Sequence, residues 1–244
     1  MVRVRLRFTK LGKIRFTSHR DVARMWERAF RRADVAVAYT EGFSPRPRLH
    51  FGLALSNGYE SLGEYVDADL VGGEASALDL DQLLPALSAG LPVGIDATAA
   101  VVIERSEPSL QDAVDACSWT IVIDRLGMAD AEQAIAGALA APSLIVMRNR
   151  KGVDSEGDVR PALSELSVAP PPQDSDGVTL QCTLATRPAA VRPTELVAAL
   201  LPGIDEDAVR RVCRTHQWIE RDGALREPLP AGATSPVPAL AVGA

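Results

Sequence analysis

His19 and Asp21 stand two residues apart in the run Phe16-Thr17-Ser18-His19-Arg20-Asp21. That spacing sets an imidazole and a carboxylate together at the start of a helix, where they could move a proton as general base and acid. Glu64 and the loop residues His50 and Arg46 are candidates to complete such a site. Helix capping accounts for the same residues in another way. Ser18 would accept a backbone N–H, and Asp21 would complement the positive end of the helix dipole. No nucleophile elbow, phosphate-cradling glycine loop or two-carboxylate set accompanies the pair.

A second cluster is the loop Tyr39-Thr40-Glu41-Gly42-Phe43-Ser44-Pro45-Arg46-Pro47-Arg48. Gly42, Pro45 and Pro47 forbid regular structure, so the loop is stiff. Arg46 and Arg48, with hydroxyls from Thr40 and Ser44, suit an anion, and stiffness lowers the entropic cost of holding one. The loop reads equally as a structural turn that aims the following strand, with Glu60 or Glu64 pairing its arginines.

The elements around these clusters follow from periodicity. Val2, Val4, Leu6 and Phe8 alternate with Arg3, Arg5 and Arg7, which predicts a strand with three arginines on one face. If that face is open, the arginines line it, and guanidinium forks match phosphate oxygens. Phe8, Phe16 and Phe51 follow the apolar phase or flank the strand, so base stacking on this face is not supported. After Ser18, the residues Val22, Met25, Trp26, Ala29 and Phe30 form a helical stripe, with Arg20, Arg24, Arg28 and Arg31 on the solvent side. A short strand over Val35–Thr40, strands from Leu49 to Leu55 and over Tyr65–Leu70, a helix over Leu78–Leu87 and a strand over Val93–Ile103 complete a split βαβ succession. The second half predicts strands over Trp119–Ile123, Ser143–Arg148 and Val178–Ala185, and helices over Ala129–Ala140, Thr194–Leu201 and Asp205–Trp218, with Ala169–Gly177 as a loop.

The expected fold is therefore α+β, two ferredoxin-like units in tandem, the second degenerate. The expected boundaries are a basic domain at 1–104, a connection at 105–117, a second domain at 118–228 and a disordered tail at 229–244.

Charge is divided along the chain. Residues 1–50 carry 13 Lys/Arg and 4 Asp/Glu, a net of +9, whereas the whole chain carries -6. Such asymmetry predicts a polyanion contact at the basic end or a solvated face balanced by the acidic remainder. No apolar run approaches the ~20 residues that span a bilayer, and the alternating opening Met1–Phe8, without an apolar h-region, gives the expectation of no secretory leader. No membrane role and a cytoplasmic location are the expectations. Cys117, Cys182 and Cys213 are too widely spaced for a disulfide framework or an iron–sulfur cluster motif. Cys213 and His216 form an isolated pair on an expected helix, short of the ligands a metal needs.

The motifs Leu6-Arg7-Phe8-x-Lys10, Arg15-Phe16-x-Ser18-His19-x-Asp21 and Glu27-Arg28-Ala29-x-Arg31-Arg32-Ala33 are similar to those of the radical SAM-linked family of unknown function (DUF2344-type). So are Ala38-Tyr39-x-Glu41-Gly42-Phe43-Ser44-Pro45-Arg46-Pro47, Ser61-x-Gly63-Glu64-Tyr65 and Val191-Arg192-Pro193. The first 70 residues carry most of the likeness. Arg46 departs from the pattern, which more often places His between the two prolines. The resemblance implies a stand-alone accessory protein that binds no cofactor itself and works with a separate radical SAM enzyme using SAM, an iron–sulfur cluster and cobalamin. It also implies an RNA-related task, since relatives are frequently encoded beside ribonuclease E/G and ribosomal protein genes. The leading expectation is a non-catalytic, RNA-directed adaptor with phosphate contacts from Arg3, Arg5, Arg7, Arg20, Arg24, Arg46 and Arg48. The alternatives are a small enzyme using His19 and Asp21, or a protein–protein module using the proline–arginine loop.

Overall fold

The computed structural model describes residues 1–72, 78–150, 152–229 and 233. The chain is mixed α+β and divides into two compact units. One comprises Met1–Val114 with Ile219 and the described residues after it; the other comprises Asp115–Trp218.

In the first unit the alternating opening forms β1 (Val2–Lys10). It is followed by α1 (His19–Arg32), β2 (Leu49–Phe51), β3 (Glu60–Leu70), α2 (Leu80–Gly90), β4 (Ala97–Ile103) and the short α3 (Leu110–Ala113). The strands lie in the order β4-β1-β3-β2, each neighbour antiparallel. The apolar phase of β1 (Val4, Leu6 and Phe8) buries against Val22, Trp26, Ala29 and Phe30 of α1 and Leu83, Leu84 and Leu87 of α2. Trp26 meets Phe8 edge-on at 5.1 Å between ring centroids, a favoured aromatic geometry. The helices approach closely at Gly90, where a Cβ would lie 3.0 Å from the Cα of Ala29. Both helices therefore cover one face of the sheet, and the arginine phase of β1 points to the other.

Val35–Thr40, expected as a strand, makes only isolated bridges from Val37 to Leu70 and Tyr39 to Pro47. The prolines after it lack the N–H groups a ladder requires.

The second unit contains β5 (Ala116–Ile123), α4 (Met128–Ala140), β6 (Ile145–Arg150), β7 (Val153–Asp158), β8 (Leu163–Ala169), β9 (Val178–Ala185), α5 (Pro193–Leu200) and most of β10 (Val209–Arg221). Its sheet has the order β10-β5-β9-β8, again antiparallel throughout. Among the described residues the hairpin β6–β7 pairs only with itself, and it interrupts an otherwise repeated strand-helix-strand-strand-helix-strand succession. Trp119, Ile121, Leu180 and Leu184 are buried on one sheet face, together with Ala131 and Ile135 of α4 and Leu196 and Val197 of α5.

The expected helix over Asp205–Trp218 is instead the strand β10. Two register irregularities, between Val209 and Arg211 and between Arg214 and His216, break its period of two. The apolar spacing then imitates a helix. Cys213 and His216 consequently occupy an irregular strand rather than one helical face. After β10, β11 (Ala224–Arg226) pairs with Ile219–Arg221. Of the expected disordered tail, Leu229 and Ala233 pack with Tyr65, Ala99 and Leu110; 230–232 and 234–244 lie outside the described residues. Among the described residues no helix is long and apolar enough to cross a membrane.

Candidate functional site

The three β1 arginines do not share one environment. Arg5 is 2% exposed. Its Nε and Nη2 each donate to Asp67 of β3 at 2.8 Å, and Nη1 donates to the carbonyl of Pro228 at 3.2 Å. Arg3 donates through Nε and Nη2 to both oxygens of Asp69 at 2.7 and 3.1 Å. Arg7 lies 3.5 Å from Glu227. The antiparallel register produces the first two pairs by setting Arg3 opposite Asp69 and Arg5 opposite Asp67. Burial alone would raise the Asp69 carboxyl, but the Arg3 hydrogen bonds and charge, with His50 and Arg105, hold it below the ordinary aspartate range. Arg3 is correspondingly raised, chiefly by its hydrogen bond to Asp69. The Tyr65 phenol, opposite Arg7, is pushed up, first by burial and then by the Glu227 charge. Arg3 and Arg5 thus form a ladder neutralised by aspartates of β3, and Arg7 lies beside Glu227.

The start of α1 shows capping geometry. Asp21 donates its backbone N–H to Ser18 Oγ at 3.2 Å, and Ser18 Oγ donates to the Asp21 carboxylate at 2.7 Å. Asp21 also takes Arg24 at 3.4 Å. His19 turns elsewhere, edge-on to Phe51 with ring centroids 5.1 Å apart. It lines a cavity of about 20 Å³ with Lys10, Glu64, Phe8, Val22 and Phe51. That volume accommodates about one water. Lys10 is buried and donates to the carbonyl of Thr17 at 3.0 Å. The structure thus joins His19 to Glu64 and to Lys10, a residue that the sequence did not single out as a site residue. The signal for Lys10 was its position at the end of β1, two residues beyond Phe8 on the helix-covered face. Glu60 accepts the Gly12 N–H at 2.8 Å and the Arg15 guanidinium at 3.3 Å.

Arg20, Arg24, Arg28 and Arg31 are exposed along α1. Beyond the helix, the Tyr39–Arg48 loop is closed at its base. The Thr40 N–H donates to the Arg46 carbonyl at 2.9 Å, the Arg46 N–H donates to Thr40 Oγ1 at 3.0 Å, and the Arg48 N–H donates to the Ala38 carbonyl at 2.7 Å. Gly42 has φ +119°, a conformation that side chains rarely adopt. Glu41, Phe43, Ser44, Pro45 and Arg46 are exposed, while Pro47 and Arg48 are partly buried. Arg46 and the α1 stripe therefore present accessible positive charge, which the β1 ladder does not.

In the second unit a polar row crosses four strands on the face opposite Trp119, Ile121, Leu180 and Leu184. Thr183 donates to Glu165 at 3.0 Å, Ser118 lies 2.8 Å from Thr183, and the Trp218 indole donates to Ser118 at 2.7 Å. His216 stacks on Trp218, centroids 4.9 Å apart and planes 13° off parallel. This row is not legible in the sequence, because Leu163–Ala169 has no clear strand alternation and β10 has a helical spacing. Among the described residues no three His, Cys, Asp or Glu side chains are grouped to hold a metal ion.

A family model described as "Uncharacterized protein conserved in bacteria (DUF2344)" matches residues 3–193, and the chain belongs to that family. No curated protein matches it.

Proposed function

As a member of the DUF2344 family, the chain is one for which we propose the role of a non-catalytic, RNA-directed adaptor that presents substrate to a separate radical SAM enzyme. The observation that carries this reading is the exposed arginine stripe Arg20-Arg24-Arg28-Arg31 of α1, with Arg46 on the stiff loop. Guanidinium forks match phosphate oxygens, and the helix and stiff loop fix the backbone positions that carry them. Arg3 and Arg5 serve structure in this reading, since each already holds an aspartate. The partner, with its SAM, iron–sulfur cluster and cobalamin, rests on the motif resemblance. The strand orders β4-β1-β3-β2 and β10-β5-β9-β8 support two ferredoxin-like units, the second enlarged by the β6–β7 hairpin.

The test is RNA affinity against salt. Each phosphate contact to a single strand contributes about -0.7 to the slope of log K against log salt. R20A/R24A should therefore shallow the slope by about 1.4, whereas R5M/D67L should leave it unchanged. Absence of RNA binding at low salt refutes the reading. A second reading, an enzyme, has its support in the convergence of His19, Lys10 and Glu64 on one cavity. It requires that H19A abolish cellular function while R20A/R24A leaves it intact.

A further inference from the structure

Resting on that reading, we propose that the RNA is gripped as an unpaired strand, with one base seated in the groove between the C-terminal half of α1 and the chain that leads into the proline loop. The groove measures about 270 Å³, and its lining includes Glu27, Phe30, Arg31, Asp34, Tyr39 and Pro47. Ligand pockets begin near 300 Å³, so it suits one planar ring and not an extended ligand.

The lining matches a nucleobase part by part. Tyr39 is 52% exposed and offers an aromatic face. Glu27 and Asp34 supply carboxylate acceptors for an exocyclic amine, the group that distinguishes cytosine, adenine and guanine from uracil. Arg31 supplies positive charge for a flanking phosphate. A base within a duplex has its faces stacked and its pairing edge occupied, so only an unpaired base can use both kinds of contact.

The distribution of exposed aromatic rings points the same way. Among the described residues, the strongly exposed Phe, Tyr and Trp side chains are Phe16, Tyr39 and Phe43, at 60%, 52% and 110%. All three fall in the basic first 50 residues. Arg15 lies over the Phe16 ring at 4.8 Å, a cation–π contact. Exposed aromatics interleaved with arginines are the chemistry of single-strand platforms, where bases stack and phosphates meet cations. Phe43, fully solvent-facing at the tip of the loop whose base is closed by Thr40 and Arg46, offers a stacking face for a neighbouring base.

The experiment measures anisotropy of a labelled single-stranded oligoribonucleotide of mixed sequence and of the same sequence as a blunt duplex. Full-length wild-type, Y39A, Y39F, F43A and R20A/R24A proteins are compared across a salt series. Loss of one stacking side chain should weaken single-strand binding roughly 5- to 150-fold with no change in salt slope, and Y39F should bind as wild type. Photocrosslinking through 4-thiouridine should map to Tyr39 or Phe43. Equal binding of duplex and single strand, or Y39A and F43A binding as wild type while R20A/R24A shallows the slope, overturns the unpaired-base site and leaves the RNA reading standing. No binding of either RNA by the wild-type protein overturns both. Tyr39 and Phe43 are exposed, and unchanged circular dichroism of Y39A and F43A separates lost contact from lost fold.

Discussion

Removal of the Asp67 carboxylate tests the assignment of the β1 arginines to structure. The Arg5 and Asp67 side chains are 3% and 5% exposed, and their two hydrogen bonds are both 2.8 Å. In D67A the Arg5 guanidinium keeps only the Pro228 carbonyl and stays buried. Two unit charges 4 Å apart attract by about 4 kcal/mol at an effective dielectric constant near 20. Loss of one partner from a buried pair accordingly costs about 3–5 kcal/mol. R5M/D67L removes both charges and fills the space with apolar side chains, so it should return close to wild-type stability. R24A is the contrasting surface variant. Arg24 and Asp21 are 55% and 50% exposed, and such pairs contribute about 0–1 kcal/mol. Urea unfolding, resolved by hydrogen exchange at the β1 and β3 amides, reads all four proteins. If D67A falls within about 1 kcal/mol of wild type, below the usual cost of a broken buried pair, the buried-ladder account is wrong and Arg5 becomes available for anion contact.

Two further outcomes follow from the same geometry. The folded Asp69 carboxyl lies below its ordinary value. Its stabilising contribution is therefore fully present above the unfolded aspartate pKa of about 3.9 and is lost as pH falls through the depressed folded value. An acid titration of stability should show this loss in wild type and not in D69N; identical acid limbs would contradict the Arg3–Asp69 pair. Burial pushes the Cys182 thiol up to about 12, and Cys117 and Cys213 are buried as well. A thiol reagent at neutral pH should label none of the three in the native protein and all three in urea, and rapid native labelling would contradict their placement.

Much of the first unit is legible in the sequence because its signals are local. The period of two in Val2–Phe8 shows as apolar residues alternating with arginines, the 3.6-residue stripe runs from Val22 to Phe30, and Ser18 sets the helix start. The loop is legible because Pro45 and Pro47 fix their own φ and lack N–H groups, while Gly42 admits the positive φ of +119°. Recognition fails where residue types do not alternate or the register slips in mid-strand. β10 has buried residues on both faces and two register irregularities, so its strand period is hidden. β7, Val-Asp-Ser-Glu-Gly-Asp, is exposed and poor in β-formers, and its strand pairing is with β6.

The candidate site divides along the same line. Residue types and spacing determined on their own that positive charge is concentrated in the first 50 residues and arranged on a strand, a helix and a stiff loop. Which of those charges is accessible depends on partners far along the chain, Asp67 and Asp69 sixty-two and sixty-six residues beyond Arg5 and Arg3. Exposure of Tyr39 and Phe43 was likewise undecided by spacing, since aromatic residues serve cores as readily as surfaces. Tertiary structure decided it, because antiparallel pairing sets Arg3 and Arg5 on aspartates, while the helix stripe and the loop tip face solvent.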